Sequence, residues 1–509
     1  MAKEKKQSLL NKVRTRIAPS PTGNPHVGTA FQALLDYVYA RRYDGQFILR
    51  IEDTDQKRLV QGVEQNLFDA FKWLGIEPDE GPQQGGAVGP YRQSERLSLY
   101  QQYAQQLVAQ GDAYYCFCSP ERLTQVREAQ KKQGLAPQYD GHCRNLSLQV
   151  AQQRLEQGEK AVIRLKVPTA EIIKVNDVLR GVVEFATENV DDQVLIKSDG
   201  FPTYHLAVVV DDHLMKITHV VRGEEWLPSA PKHVLLYRFF NWPAPELIHT
   251  PTLRNTDRSK LSKRKGNTSL WWYREQGFLP QALLNFLGLM VWKPNGNQEI
   301  FSLSEMIAKF EWREMNITGP IFDVTKLEWL NGKYLRQLSA TELEQQFLAW
   351  FTWAKTRTDN PELMTQMAQL QTWLDQDEKM FHQAIKLSID RSKKFLDLIE
   401  LMGFYFADQL SYDRDDLLQA QPAQTMAHGL TLIKERLIVL RECDQPTWEK
   451  TIRAVADELK LEHKVLFMSL RSALTAEKFT PPLYEVMQVL GTQQIEKRIQ
   501  DAINYLLNL

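Results

Sequence analysis

Apolar residues alternate with arginine near the start of the chain. Val13, Thr15 and Ile17 interleave with Arg14 and Arg16, which predicts a strand over Val13–Ala18. Pro19, Pro21, Gly23 and Pro25 then impose a tight loop. From Thr29 the period lengthens: Ala30, Phe31, Leu34, Leu35 and Val38 recur at helical spacing. Asp44-Gly45 turns the chain into Phe47–Ile51, a second buried strand. Strand, loop, helix, strand is a parallel βαβ unit, whose ligands bind beyond the carboxyl ends of its strands. His26 and Glu52 both fall at that edge.

A similar pattern returns later. Tyr204–Val210 and Ile217–Val221 read as strands, and Trp226–Phe240 as a helix with Ser229 and Pro231 near its start. From about residue 340 the pattern is helical, as in Lys379–Phe404 and Gln424–Arg441. The predicted fold is α/β: a Rossmann-like parallel-sheet domain with an inserted α+β domain, followed by mainly α-helical C-terminal domains. The expected boundaries divide the first domain into residues 1–93 and 201–244, with the insertion at 94–200. Residues 245–339 form a further domain, and 340–509 a helical region of two subdomains meeting near 405.

Length supports several domains, since 509 residues exceed what one core accommodates. Hydrophobic content of 43% and charged content of 25% are ordinary for a globular protein, and a net charge of −1 announces no global basicity. A nucleic-acid partner would then need positive charge gathered on one face. Met1–Lys6 is basic, but no apolar core and cleavage site follow it, which argues against a secretory signal. The most apolar stretch, Phe278–Trp292, is too short to span a bilayer and contains Pro280. Four cysteines do not make a disulfide framework. The expectation is a cytoplasmic protein without a membrane partner.

Three constellations carry chemistry. In PSPTGNPHVGT, His26 sits where a strand gives way to a helix. A helix amino terminus there would offer N–H groups and a positive dipole end to a phosphate. Gly23 and Gly28 would keep side chains out of the nucleotide's way, and His26 could donate to a phosphate oxygen. In SKLSKRKG, Lys260, Ser262 and Lys263 suit a mobile loop closing over a triphosphate and neutralising departing pyrophosphate. Read singly, the first motif is a proline-stiffened turn and the second a solvated basic patch. Cys116 and Cys118, then Tyr139, His142 and Cys143, place soft donors at spacing that can hold zinc in a closed structural site. Three reduced cysteines in a small domain are the alternative.

Taken in order, TRIAPSPTG at 15–23, HVGT at 26–29, RIEDTD at 50–55, YHLA at 204–207, VVRGEEW at 220–226 and KLSKRKG at 260–266 resemble bacterial-type glutamyl-tRNA synthetases. FDVTKLEWLNGKY at 322–334 extends the resemblance. These enzymes are class I aminoacyl-tRNA synthetases, and the two motifs match their HIGH and KMSKS signatures. Thr29 stands where the general motif has its second histidine.

The resemblance implies ATP-dependent activation of L-glutamate as an adenylate, transfer to tRNA-Glu, and release of AMP and pyrophosphate. Transfer to tRNA-Gln stays open. It assigns His26, Gly28, Thr29, Lys260, Ser262 and Lys263 to ATP. Arg16 would pair with the substrate's side-chain carboxylate, while Tyr204 and Arg222 line the same pocket. Glu52 would hold the ammonium, with Ala18 and Ser20 beside the amino acid. A guanidinium can hold a carboxylate through two charge-assisted bonds, whereas glutamine would set an amide donor against it.

Magnesium is implied with ATP, and one structural zinc on Cys116, Cys118 and Cys143. The family's final histidine is replaced by Asn145, so Tyr139 or His142 would complete the set. Residues 94–200 would bind the tRNA acceptor end, 245–339 contact its stem, and 340–509 read the anticodon. A monomer is expected. The helical tail argues against a glutaminyl enzyme, which would end in β-barrels. The alternative from another class is a non-catalytic tRNA-binding paralogue, which would have no need of a phosphate-closing lysine.

Overall fold

The computed structural model describes residues 12–261, 268–294, 296–437 and 443–509. The chain divides into two compact units, Met1–Trp272 with Leu283–Asp323, and Tyr273–Ala282 with Val324–Leu509.

In the first unit, β1 (Arg14–Ile17), α1 (Val27–Arg42) and β2 (Gln46–Leu49) form the expected βαβ element, with β1 and β2 parallel. All four residues of β1 are buried, arginines included, because both sheet faces are covered. After α2 (Val63–Leu74) and α3 (Leu97–Gln110) come β3 (Ala113–Cys116), α4 (Pro120–Lys132), α5 (Leu148–Glu156) and β4 (Val162–Leu165). The strands β5 (Ile172–Asp177), β6 (Gly181–Ala186) and β7 (Val194–Ile196) follow. Next are α6 (Tyr204–Leu214), β8 (His219–Gly223), α7 (Ala230–Phe239) and β9 (Glu246–Thr250).

Strands β3, β4 and β7 make an antiparallel sheet in that order. A second sheet runs β6-β5-β9-β8, with β9 parallel to both β5 and β8. Thr218 N–H donates to Arg14 O at 3.0 Å, laying β1 beside the start of β8. The carboxyl ends of β1, β2 and β8 thereby come together.

One expected strand is a helix. Tyr204–Val210 begins α6, in which Leu206–Asp212 are all buried. A short apolar run has no polar face to reveal its period, so a buried helix and a buried strand look alike in sequence. The expected helix over Trp226–Phe240 is divided: a 3-10 turn spans Glu224–Ser229 with Pro228 inside it, and α7 starts at Ala230. Proline lacks the N–H that α-helical continuity requires.

The second unit is helical. Its core gathers Phe347, Trp350, Phe381, Phe395, Leu430 and Leu470, among others. The expected helix over Lys379–Phe404 breaks into Glu378–Ser388, a turn at Ile389–Arg391, and Asp397–Phe406. Ser392 Oγ donates to Ile389 O at 2.9 Å, and Asp397 Oδ2 accepts from Lys393 N and Lys394 N, which closes one helix and opens the next. The helix expected at Gln424–Arg441 runs Ala423–Leu437, and its last residues lie outside those described. Among the described residues, no helix is long and apolar enough to cross a membrane.

Candidate active site

A cavity of about 1170 Å³ opens at the carboxyl edge of the first unit's strands. Arg16, Ala18, Ser20, His26, Gly28, Thr29, Glu52, Tyr204, Arg222 and Lys260 all line it. Ser262 and Lys263 lie outside the described residues, but Leu261 and Thr268 on either side of that segment line the same cavity. Val27 N–H donates to Thr268 O at 2.9 Å and Leu270 N–H to Pro25 O at 3.0 Å. The return of the lysine segment is thus fastened to the His26 turn.

The geometry at His26 differs from the expected display of open N–H groups. His26 caps α1, its Nδ1 accepting from Gly28 N at 3.0 Å. Thr29 N–H and Ala30 N–H both donate to His26 O, so with Val27 N–H on Thr268 O the donors of the first turn are all taken. With Nδ1 accepting, the proton of a neutral ring sits on Nε2, which can donate to an anion. Gly28 also serves a purpose that the sequence did not show. A Cβ there would stand 2.8 Å from His26 Cε1, so glycine makes room for the capping ring.

Beneath the cavity runs a line of buried charges with alternating sign. Arg96 Nε is 2.7 Å from Asp211 Oδ1, and Arg50 Nε is 3.8 Å from Asp211 Oδ2. Arg50 Nη1 lies 2.6 Å from Asp212 Oδ1, and Arg16 Nε 3.0 Å from the same oxygen. Arg50 Nη2 also reaches Glu52 Oε1 at 3.1 Å. Burial alone would raise the Asp212 carboxyl, but the flanking Arg16 and Arg50 hold it below the ordinary range. Burial dominates at Glu52 and raises its carboxyl. Arg16 donates to Asp212 and to Val221 O, which leaves one N–H on each terminal nitrogen beyond those bonds.

Arg222, at the end of β8, is 6% exposed. Its Nε donates to His249 Nε2 at 3.0 Å, and its Nη1 to His233 Nδ1 at 3.0 Å and to Tyr204 OH at 3.3 Å. Its Nη2 is buried with no hydrogen-bond partner among the described residues, although the side chain lines the cavity. Such an orphan donor marks where an acceptor belongs. Tyr204 enters from the first turn of α6, its ring tilted against Trp226 at 4.5 Å. Lys260 Nζ lies 3.8 Å from Glu225 Oε1 at the rim.

Sequence reasoning missed Arg50, Asp211, Asp212, His233 and His249. Asp211-Asp212 closing the apolar run AVVV was an available signal, because carboxylates inside an apolar element need buried partners.

The cysteines converge some distance along the sequence from this cavity. The sulfurs of Cys116, Cys118 and Cys143 all lie within 4.8 Å of one another. The Tyr139 hydroxyl lies 3.3 Å from Cys116 Sγ and 3.5 Å from Cys118 Sγ, and it accepts from Cys143 N at 2.9 Å. His142 is exposed, its backbone N–H turned to Asp140. Burial opposes ionisation of Cys116, yet hydrogen bonding with Tyr139 and the Cys118 backbone, together with the Arg164 guanidinium, brings its thiol below the usual range. Burial pushes Cys118 up to about 11. Three sulfurs and one phenol oxygen make a four-donor set that suits zinc.

Comparison with known proteins places these features. Residues 12–329 match the family described as tRNA synthetases class I (E and Q), catalytic domain, and residues 362–503 match an anticodon binding domain. The chain is 44% identical over 503 residues to the glutamate–tRNA ligase of Gloeobacter violaceus, covering 96% of this chain and 95% of that protein. It is 44% identical over 498 residues to the enzyme of Stutzerimonas stutzeri, covering 98% and 96%. A crystal structure of a glutamate tRNA ligase from Elizabethkingia meningosepticum in complex with its amino acid is similar, with a TM-score of 0.84 and 35% identity. That match covers 97% of this chain and 100% of the other.

Proposed function

The chain belongs to the glutamate–tRNA ligases among the class I tRNA synthetases, and from that premise we propose that it charges tRNA-Glu in the cytoplasm through a glutamyl-adenylate. The observation that carries the reading is the common cavity on which His26, Lys260, Arg16, Glu52 and Arg222 converge.

In this reading ATP lies between the His26 turn and the Lys260 side of the cavity, with magnesium on its phosphates. His26 Nε2–H bonds a phosphate oxygen, and Lys260 and Lys263 neutralise charge as the glutamate α-carboxylate displaces pyrophosphate from the α-phosphorus. Ser262 lies between these lysines in sequence and would meet the same phosphates. Glu52 receives the ammonium, beside Ala18 and Ser20. Arg16, Arg222 and Tyr204 receive the side-chain carboxylate, to which two guanidiniums offer donors that an amide nitrogen could not use. The terminal ribose hydroxyl of the tRNA then attacks the acyl carbon and AMP departs.

Cys116, Cys118, Tyr139 and Cys143 would hold one zinc, which would fix the local fold and take no part in the chemistry. The functional enzyme is a monomer in this reading. Transfer of glutamate to tRNA-Gln is a second outcome that the same cavity permits, since the amino-acid pocket does not read the anticodon.

Aminoacylation of purified tRNA-Glu and tRNA-Gln, each with glutamate and with glutamine, tests the proposal. Charging with glutamate is expected, and ATP–pyrophosphate exchange should require tRNA. A chain that binds tRNA but charges neither species would be the non-catalytic paralogue.

A further inference from the structure

We propose that His249 and His233 are positioning residues that clamp the Arg222 guanidinium from two sides and thereby set the preference for a carboxylate over a carboxamide side chain. The inference rests on the assignment of Arg222 to glutamate and goes one layer behind it.

Three of the five Arg222 N–H groups are fixed by protein acceptors. Arg222 and His249 are register partners on β8 and β9, so the Nε bond at 3.0 Å is set by strand pairing. For His249 Nε2 to accept, its proton must sit on Nδ1, and Asp177 Oδ2 lies 2.7 Å away to receive it. Asp177 is itself immobilised: Oδ2 accepts from His249 N, and Oδ1 from Leu179 N and Arg180 N. On the other side His233, from α7, accepts from Nη1 at Nδ1. Its proton therefore sits on Nε2, facing His205 Nδ1 at 3.1 Å.

Both imidazoles are held neutral, as acceptors must be. Burial lowers His249 and, further, His233, with Arg222 acting in the same direction on each. Burial likewise takes His205 down to about 3. The plane of the guanidinium is thus determined before substrate arrives, and Nη2 is the nitrogen left for it. A fixed donor edge accepts a carboxylate oxygen and opposes an amide N–H₂. An arginine free to swing could turn that edge aside and admit glutamine.

The test uses two pairs of variants in the full chain. His249→Leu removes the acceptor, whereas His249→Gln keeps an oxygen near the place of Nε2. His233→Leu removes the other acceptor, and His233→Asn keeps one near Nδ1. Each leucine variant should raise KM for glutamate by about 10-fold and narrow the glutamate-to-glutamine ratio of kcat/KM about as much. KM for ATP and for tRNA should stay within about 2-fold, and the amide variants should recover most of both losses.

Leucine and amide variants that behave alike would overturn the clamp, as would parallel losses for all three substrates. A readout independent of variant folding is the ¹⁵N spectrum of histidine-labelled wild type. It should show His249 protonated on Nδ1 and His233 on Nε2, and the opposite tautomers would refute the proposal. Wild-type charging separates the two levels. An inactive wild type defeats the functional reading, whereas an active one with unaltered variants defeats only the clamp.

Discussion

Replacing Asp212 by asparagine removes one negative charge from between two buried guanidiniums while keeping the side chain's shape. Asp212 and Arg16 are each 4% exposed and Arg50 is 0% exposed, so water cannot compensate for the loss. Breaking a buried ion pair by neutralising one partner costs about 3–5 kcal/mol. The asparagine oxygen still accepts one bond, which favours the lower end, about 3 kcal/mol. For a unit of this size that corresponds to a fall of roughly 5 °C in Tm.

Calorimetry of wild type and variant across pH would read the effect. The sign follows from the direction of the shift: the folded-state carboxyl lies below its ordinary value, so its contribution is complete above the usual carboxylate range. It is lost as pH falls through the folded value. The difference between the two proteins should therefore be large at neutral pH and shrink below about pH 4. Glu52 and Asp211 titrate in both proteins, so to a first approximation they cancel in the comparison. KM for glutamate should also rise, because Arg16 loses the carboxylate that orients it. A difference under about 1 kcal/mol at neutral pH would refute the argument. A large difference that persists unchanged into acid would assign the loss to shape and not to charge.

Four other outcomes are expected. Asp36→Asn should gain stability relative to wild type as pH rises, because burial raises the Asp36 carboxyl and the folded protein loses stability on ionising it; denaturant melts at pH 4 and pH 8 would show it, and a pH-independent difference would not fit. Gly28→Ala should displace the His26 ring and slow tRNA-dependent pyrophosphate exchange by about 10-fold or more, with Tm little changed; unaltered exchange would remove His26 from the phosphates. Lys263→Ala should reduce adenylate formation by about 10²-fold while tRNA affinity, measured by filter binding, stays near wild type. Cys118→Ser should lower zinc content from about one per chain to near zero by elemental analysis, with a lower Tm, and a zinc-free wild type would dispose of the site.

The His26 side of the cavity was legible because its requirements are local. Prolines and glycine between a strand and a helix place His26 at a sheet edge, and the adjacent Gly28 supplies the N–H that its ring caps. The lysine-rich motif is recognisable for the same reason, since its composition is local to the sequence, although Ser262 and Lys263 lie outside the described residues. The cysteine cluster was likewise written in spacing. Which side chain lies against the three sulfurs was not, because only the turn between them sets the Tyr139 hydroxyl against Cys116 and Cys118 and leaves His142 exposed.

What the linear order determined by itself is the alternation of strand and helix, the βαβ start and the identity of the chemical groups at its edge. Tertiary structure alone decided that Tyr204 opens a helix, that its first-turn ring meets Arg222, and that Asp211 and Asp212 sit among three buried arginines. Partners 18 to 196 residues apart create those relations. The electrostatics of a buried group depend on what surrounds it in space, and no local period or propensity encodes the company that a side chain keeps after the sheet has closed.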